Sequence, residues 1–311
     1  MDKIRVGVVG LGYLGSQHAR LYAKEKTIHL VALCDTNPEK AVLSRKFRAP
    51  FHQDYHALFG QADAVSIAVP TQDHHRIAKE FLAKGIHLLI EKPITKSVEE
   101  ADDLIQTAKQ NRCLIQVGHI ERFNSAFRAA LPFIKNPMFI ECHRLGPFKK
   151  RALDVGVVLD LMIHDIDVIL SLVDSPVERI DGVGINILTD SEDIANARLT
   201  FQNGAVANIT ASRLTQKSMR KIRIFAEDTY ISLDTVGQKG VRYWKENGKV
   251  HGKGIHFKRE EPLQKELASF IDAVRTHRTP VVPGEAAREA LRVALDIQEK
   301  IRGHVRWPQK A

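Results

Sequence analysis

Residues 4–9, Ile4-Arg5-Val6-Gly7-Val8-Val9, alternate and then run apolar straight into Gly10-Leu11-Gly12-Tyr13-Leu14-Gly15. A strand that empties into G-x-G-x-x-G and continues as a helix leaves little choice of fold, because it is the opening βα unit of a doubly wound parallel sheet. Each glycine serves a separate physical end. Gly10 permits the tight turn, Gly12 lets the backbone approach a pyrophosphate, and Gly15 lets the following helix pack closely on the strand. The helix expected over 13–24 turns its N-terminal N–H groups and positive dipole end towards phosphates, so Tyr13 and Leu14 join the glycines as cofactor contacts. Asp35 closes the next apolar run, 30–34, twenty residues past Gly15. A carboxylate there accepts hydrogen bonds from an adenosine ribose and repels a 2′-phosphate, which predicts NAD over NADP. A glycine-rich turn in some other α/β domain would leave Asp35 without a reason.

At 311 residues, 44% of them apolar, the chain is long for one core and ample for two. Charges interrupt the first strand and helix, so neither a signal peptide nor a membrane span is expected, and the cytoplasm is the expected compartment. Cys34, Cys113 and Cys142 are odd in number, lack C-x-x-C spacing and lie in apolar strand-like runs, which predicts buried thiols in a reducing compartment. The net charge of +9 suits an anionic ligand, although clusters such as Lys149-Lys150-Arg151 and Arg220-Lys221 to Arg223 are of the kind that water commonly covers. No stripe of interleaved aromatics accompanies the charge, so nucleic acid is not an expected partner.

Strands and helices keep alternating through the first third: strand 64–69, helix 73–84, strand 86–90, helix 98–110, strand 113–117. Beyond Gly118 the pattern changes to a helix near 123–134, a strand near 138–145 and an apolar helix over 155–173. Extended runs follow at 179–188 and 195–201, the latter with Ala195, Ala197, Leu199 and Phe201 alternating. Asn203-Gly204 is a hairpin signal with 205–211 as the returning strand. Helices over 263–276 and 285–301 close the chain, the second after Pro283-Gly284. The predicted fold class is α/β: an N-terminal Rossmann doubly wound parallel sheet over 1–118, then a C-terminal α+β domain with a mostly antiparallel sheet over 119–311, for substrate binding and oligomerisation.

Glu91-Lys92-Pro93 follows the strand 86–90, at the carboxyl edge where doubly wound sheets hold ligands. Pro93 restricts Lys92 to extended geometry and allows a cis bond, either of which directs the ammonium. Alone, these residues would read as a strand end with an exposed Glu-Lys pair. The helix over 155–173 is apolar almost throughout yet carries Asp160, His164, Asp165 and Asp167, and buried ionisable groups need partners or a function. Asp160, His164 and Asp167 fall at i, i+4 and i+7, one helical face. Three readings fit: a metal site, which lacks a further His or Cys at close spacing; a structural polar stripe, the natural part for Asp165 and Asp167; or an acid/base constellation of Asp160 and His164 with Lys92. No metal is expected.

The glycine turn, Pro70 with His74, Glu91-Lys92-Pro93, the Asp160 and His164 pair followed by Asp167, and Pro283-Gly284-Glu285 together resemble the Gfo/Idh/MocA oxidoreductase family over essentially the whole length. The resemblance implies that Pro70, Thr71, His74, Glu91 and Lys92 line the cofactor with Gly10, Gly12, Tyr13, Leu14, Gly15 and Asp35. It also implies that Lys92, Asp160 and His164 surround the reacting carbinol. Val69 and Met162 depart from the threonine and glycine common at those positions. A narrower similarity lies in Gly118-His119-Ile120-Glu121-Arg122-Phe123-Asn124, in Arg144-Leu145-Gly146-Pro147-Phe148 and in the run from Asp154 to Asp165. These look like the branch that oxidises UDP-N-acetylglucosamine at C3, supplying diamino sugar for lipid A. Arg122 and Asn124 are then candidates for substrate contact beside His164, while a surface arginine and a helix-capping asparagine read them equally well.

Hydride transfer from a carbinol needs a base for the hydroxyl proton and a cation for the developing alkoxide. His164 is assigned as base, Lys92 as the cation and Asp160 as the orienting group, with Lys92 the alternative base. A dehydrogenase or reductase of a free polyol or simple sugar is a second reading. A non-catalytic NAD-binding sensor is a third, and it has no need of an intact Lys92, Asp160 and His164 set. Similar proteins bury one face of the second-domain sheet against another subunit, so a homodimer or homotetramer is expected.

Overall fold

The computed structural model describes residues 3–148 and 155–304. The cluster Lys149-Lys150-Arg151 and Asp154 lie outside the described residues. β1 (Ile4–Val9) leads through α1 (Tyr13–Tyr22) to β2 (Ile28–Cys34), then α2 (Val42–Phe47), β3 (Phe51–His52) and β4 (Ala64–Ile67). α3 (Thr71–Ala83), β5 (His87–Ile90), α4 (Val98–Gln110) and β6 (Ile115–Val117) complete the alternation. The six strands are parallel and ordered β3-β2-β1-β4-β5-β6, the doubly wound order whose switch point falls between β1 and β4. Every residue of β4 is buried, as in a strand covered on both faces. Ser97 caps α4 by accepting the Glu100 N–H at 3.3 Å, and Glu99 and Glu100 sit in its first turn, where the dipole favours anions.

The later chain forms α5 (Ser125–Ala130), β7 (Phe139–Leu145), a π-helical turn (Val158–Met162), α6 (Ile163–Leu172), β8 (Val177–Ile185), β9 (Ile194–Phe201) and β10 (Val206–Ser212). It continues through β11 (Met219–Ala226), β12 (Thr229–Asp234), β13 (Lys239–Glu246), β14 (Lys249–Gly254), α7 (Pro262–Thr276) and α8 (Gly284–His304). The second sheet runs β14-β13-β12-β11-β7-β10-β9-β8 and is antiparallel except for the β7–β10 pair. The expected turn at Asn203-Gly204 joins β9 to β10, with Gly204 at φ +84° and Asn203 Oδ1 accepting the Ala205 N–H at 3.1 Å. The helix expected over 123–134 shrinks to α5 between two short 3-10 turns, because Pro132 stands just beyond it. β11 to β14 are strands that the sequence reading left unassigned. β14 is exposed at nearly every position, so the alternation that marks a half-buried strand is absent there.

Two compact units result: residues 3–120 with Glu261–Glu289, and residues 121–148, 155–260 and 290–304. A continuous second stretch over 119–311 is therefore not what packs together. α7 returns to the first unit because Leu263, Leu267, Phe270, Ile271 and Val274 bury in one core with Val6, Tyr22 and Leu30, at about 1.5–3 kcal/mol per large side chain. In the second unit Val293, Ala294 and Ile297 of α8 pack with α6 and the inward residues of β7 to β12. All three cysteines are buried free thiols, and burial pushes Cys34 up to about 12 and Cys113 up to about 11.

Candidate active site

Gly10 turns the chain out of β1 at φ +86°, a conformation strained for any side chain. A Cβ at Gly10 would stand 2.6 Å from the Ala68 carbonyl oxygen, and one at Gly15 would stand 1.7 Å from that of Gly10. At Gly12 no atom lies within 4 Å of such a Cβ, so the chain's own packing does not require the glycine there, whereas the approach of a pyrophosphate does. Gly12 caps α1 without a side-chain acceptor, the first turn carries no acidic residue, and Tyr13 and Leu14 are exposed. The residues present thus fit a dinucleotide phosphate at this helix end. Half-buried Asp35 accepts the Leu11 N–H at 2.6 Å through Oδ2 and the Asn37 N–H at 2.9 Å through Oδ1.

Beyond β4, Pro70 precedes α3, Thr71 begins it and His74 is buried in its first turns. The His74 ring bridges the carbonyls of Val69, 2.9 Å from Nε2, and of Pro93, 3.0 Å from Nδ1. Burial holds its pKa below the ordinary value against the pull of both carbonyls and of Glu91, so the neutral ring donates to one carbonyl at a time. Beyond β5, Glu91 is buried, with Oε1 3.1 Å from His18 Nε2 and Oε2 accepting the Lys92 N–H at 3.3 Å. Burial pushes the Glu91 carboxyl up, but the hydrogen bond and charge of His18 and the Lys92 ammonium outweigh it and hold the group below its usual range. Gly118 makes room: a Cβ there would meet Glu91 Oε2 at 2.8 Å. The Lys92–Pro93 peptide is cis and Lys92 is half-buried. The first unit therefore gathers the ends of β1, β4 and β5 into one polar edge, braced by buried His18, His74 and Glu91.

In the second unit Asp160 sits on the π-helical turn and His164 in the first turn of α6, both half-buried. The uninterrupted helix expected over 155–173 is thereby corrected. Glu192 occupies the space over Gly156, where a Cβ would meet its Oε1 at 2.0 Å, and accepts the Val158 N–H at 3.2 Å, so the helix starts against that carboxylate. A π turn widens the spacing around Asp160, a distortion that recurs at functional sites. Asp165 and Asp167 are buried. Asp165 accepts two hydrogen bonds from Arg144, both 2.8 Å, and Glu121 accepts one from Arg144 at 3.0 Å and one from Arg220 at 3.3 Å. Burial opposes the Arg144 charge, but Asp165 and Glu121 hold the guanidinium more firmly charged than usual; Arg144 and Arg220 in turn hold buried Glu121 below its ordinary range. Asp167 pairs with Arg122 at 3.5 Å. Asn124 is buried and caps α5, accepting the Ala126 N–H at 3.0 Å and donating to the Thr235 carbonyl at 3.1 Å, which spends its amide on the fold. Among the described residues no group of three or more His, Cys, Asp or Glu could hold a metal ion.

Sequence reasoning passed over His18 and Arg213, quoted Glu121 and Arg144 only within the segments of narrower similarity, and read Arg220 as part of a basic cluster that water commonly covers. Only the position of His18, three past Gly15 on the helix that must pack on β1, hinted at burial. Arg220 and Arg223 are ion-paired, to Glu121 and Glu141, rather than simply solvated. A larger cavity of about 600 Å³, lined by Gly156, Leu159, Gly184, Glu192 and Gln298, contains none of the anticipated residues.

The family descriptions "Oxidoreductase family, NAD-binding Rossmann fold" and "GFO/IDH/MocA C-terminal domain" match residues 4–119 and 113–232. UDP-N-acetylglucosamine 3-dehydrogenase of Acidithiobacillus ferrooxidans is 35% identical over 310 residues, 96% of this chain and 97% of that one. A solved structure of that enzyme aligns with a TM-score of 0.94 at 34% identity, covering 99% of this chain and 100% of that chain. Myo-inositol 2-dehydrogenase of Thermotoga maritima is 25% identical, with 93% of each chain covered. Levoglucosan dehydrogenase solved with NADH shares the fold at a TM-score of 0.88 and 17% identity, covering 97% and 98% of the two chains. With its glycine turn, its 3-2-1-4-5-6 sheet and its full-length likeness to dehydrogenases, the chain belongs to the Gfo/Idh/MocA oxidoreductase family and is an NAD-binding dehydrogenase.

Proposed function

We propose that this dehydrogenase oxidises C3 of UDP-N-acetylglucosamine to the 3-keto nucleotide sugar, in the cytoplasm, on the route to diamino sugar for lipid A. The observation that carries the reading is the likeness to the Acidithiobacillus ferrooxidans enzyme across nearly all of both chains. A net charge of +9 suits a diphosphate substrate. NAD, when bound, supplies the nicotinamide C4 that accepts the hydride. In this reading the first-turn N–H groups of α1 at Tyr13, Leu14 and Gly15 hold the pyrophosphate, and Asp35 holds the adenosine ribose. Pro70, Thr71, His74, Glu91 and Lys92 line the rest of the cofactor along the sheet edge.

The C3–H electron pair leaves as hydride and the O–H electron pair becomes the second bond of the new carbonyl. His164 takes the hydroxyl proton, the Lys92 ammonium holds the charge developing on oxygen, and Asp160 orients its neighbours by accepting hydrogen bonds. Partial burial of all three supports these roles, since it strengthens their fields while leaving each reachable. The reading includes a homodimer or homotetramer formed through the outer face of the second sheet, where Phe225, Tyr230 and Tyr243 stack and Phe139 packs tilted on Phe225, a row across four neighbouring strands with centroids 4.7–5.7 Å apart.

Oxidation by NAD is best followed with a ketone trap and mass spectrometry of the sugar. Wild type should convert UDP-N-acetylglucosamine to a product lacking two hydrogens and leave myo-inositol and free glucose unchanged. Lys92→Met and His164→Asn should each lower turnover by roughly 10²–10⁴ with the fold intact. Oxidation of a free polyol or simple sugar with the nucleotide sugar untouched would overturn the substrate, and near-wild-type rates in both variants would return Asp160 and His164 to a structural polar stripe.

A further inference from the structure

We propose that a small cavity at the ends of β7 and β11 seats the diphosphate of the substrate and that Arg220 grips it, an assignment that rests on the nucleotide-sugar reading. The cavity lies within the second unit and is lined by Arg144, Gly146, Asp160, Arg213, Ser218 and Arg220, among others. Its volume of about 70 Å³ is room for about five waters, the scale of a phosphate rather than of a base or a sugar.

The sheet register makes the site basic. Arg220 stands directly opposite Arg144 in the antiparallel β11–β7 pair, on the face that also carries Ile140, Cys142, Ile222 and Ile224 inward. Like charges opposed on one face repel unless something neutralises them. Glu121 and Asp165 do so for Arg144, which spends three N–H groups on their carboxylates. Arg220 is treated differently. Its single side-chain hydrogen bond among the described residues is the 3.3 Å one from Nη1 to Glu121, an oxygen that Arg144 already uses, and its side chain is 44% exposed. Most of a five-donor fork is left for an outside acceptor.

Arg213 adds to the surplus. Its side chain is 7% exposed, and Nε stands 3.7 Å from Asp193 Oδ1 and makes no hydrogen bond among the described residues. Asp193 answers it only in part, since Oδ1 accepts the Thr189 hydroxyl at 2.9 Å and Oδ2 the N–H groups of Ile187, Leu188 and Thr189 at 2.7, 2.5 and 3.0 Å, while Arg213 Nη2 donates to the Val155 carbonyl at 2.7 Å. Asp160 is the one carboxylate among these lining residues, and it repels an anion from its own side. The anion therefore belongs against Arg213 and Arg220, with the sugar hydroxyls towards Asp160. A diphosphate matches that division, because it offers planar guanidinium groups several acceptor oxygens and two negative charges.

The test uses the full-length protein with NAD bound, in wild type, Arg220→Met and Arg220→Lys. UDP and inorganic pyrophosphate are titrated calorimetrically, and KM and kcat are measured for UDP-N-acetylglucosamine. Arg220→Met should weaken both ligands and raise KM by roughly tenfold to hundredfold, with kcat within about threefold and NAD affinity and circular dichroism unchanged. Arg220→Lys should recover part of the loss, and wild-type UDP affinity should fall as salt rises. Removing a half-exposed side chain leaves Glu121 paired with Arg144, so the fold stands. Wild type that oxidises a free polyol but not the nucleotide sugar sinks the substrate reading. Wild type that oxidises UDP-N-acetylglucosamine while Arg220→Met matches it in KM and UDP affinity sinks this assignment alone.

Discussion

Asp35 accepts the Leu11 and Asn37 N–H groups through its two oxygens, so the carboxylate that faces the adenosine ribose in our reading also braces the glycine turn. Serine keeps one acceptor and removes the charge that repels a 2′-phosphate. Asp35→Ser should therefore narrow an NAD-over-NADP preference by about tenfold, about 1.4 kcal/mol, in fluorescence titrations of both cofactors. A wild type that already prefers NADP contradicts this role for Asp35. The spacing from Gly15 to Asp35 was legible in the sequence because the βα unit has a nearly fixed length. The brace was not, since it depends on β2 lying beside β1. His18 was illegible for the same reason: only folding brings α1 against the end of β5, where its ring meets Glu91.

At the scale of elements, the buried Arg144 of β7 joins Asp165 of α6 to Glu121, which precedes α5. Arg144→Met would leave two buried carboxylates short of their main partner, at a cost of about 3–5 kcal/mol near neutral pH. Glu121 has its folded-state pKa lowered from 4.5. Its contribution is therefore present above that ordinary value and lost as pH falls through the lowered one. In the variant the Glu121 carboxyl is buried without that cation, burial pushes its pKa up, and protonation relieves it. The gap between wild type and variant in urea unfolding should thus be large at pH 7 and shrink towards pH 4. Equal gaps at both would mean that packing, and not charge, is what Arg144 contributes. The strand carrying Arg144 was visible in the sequence, and its alternation put residues 140, 142 and 144 on one face. That face is the inner one, covered by α6 with Asp165 waiting, and this the alternation could not say. Asn124 shows the converse, for its sequence reading held both a cap and a substrate contact, and the Ala126 and Thr235 hydrogen bonds show the cap.

At the scale of the molecule, the inner face of the second sheet is covered by apolar residues of α6 and α8. The outer face carries the stacked aromatics, with Phe225 37% and Tyr243 42% exposed. Exposed aromatics in a row on adjacent strands are what a subunit interface covers. Light scattering at micromolar concentration should give the mass of a dimer or tetramer, and Tyr243→Asp should shift it towards monomer. A monomeric wild type would end the proposal of assembly through this face. Among the described residues no helix is long and apolar enough to cross a membrane.

The amino-acid sequence by itself determined the glycine turn and the first sheet apart from the two-residue β3, and it nominated Lys92, Asp160 and His164 for the chemistry, because each signal is written within a few tens of residues: periodicity, a turn that only glycine can make, a lysine at a strand end, a histidine four past an aspartate. The tertiary structure alone decided what depends on distant partners. It returned 261–289 to the first unit, since the apolar stripe of α7 fits the core around Val6 and Tyr22. It set a π turn at Asp160, where the helix start meets Glu192 from the far side of β8. It brought Arg220 opposite Arg144 across a strand pair 76 residues apart in the chain, tying one member of what looked like a solvated basic run to buried Glu121. Local pattern names the residues, but burial and pairing are properties of neighbours that only folding supplies.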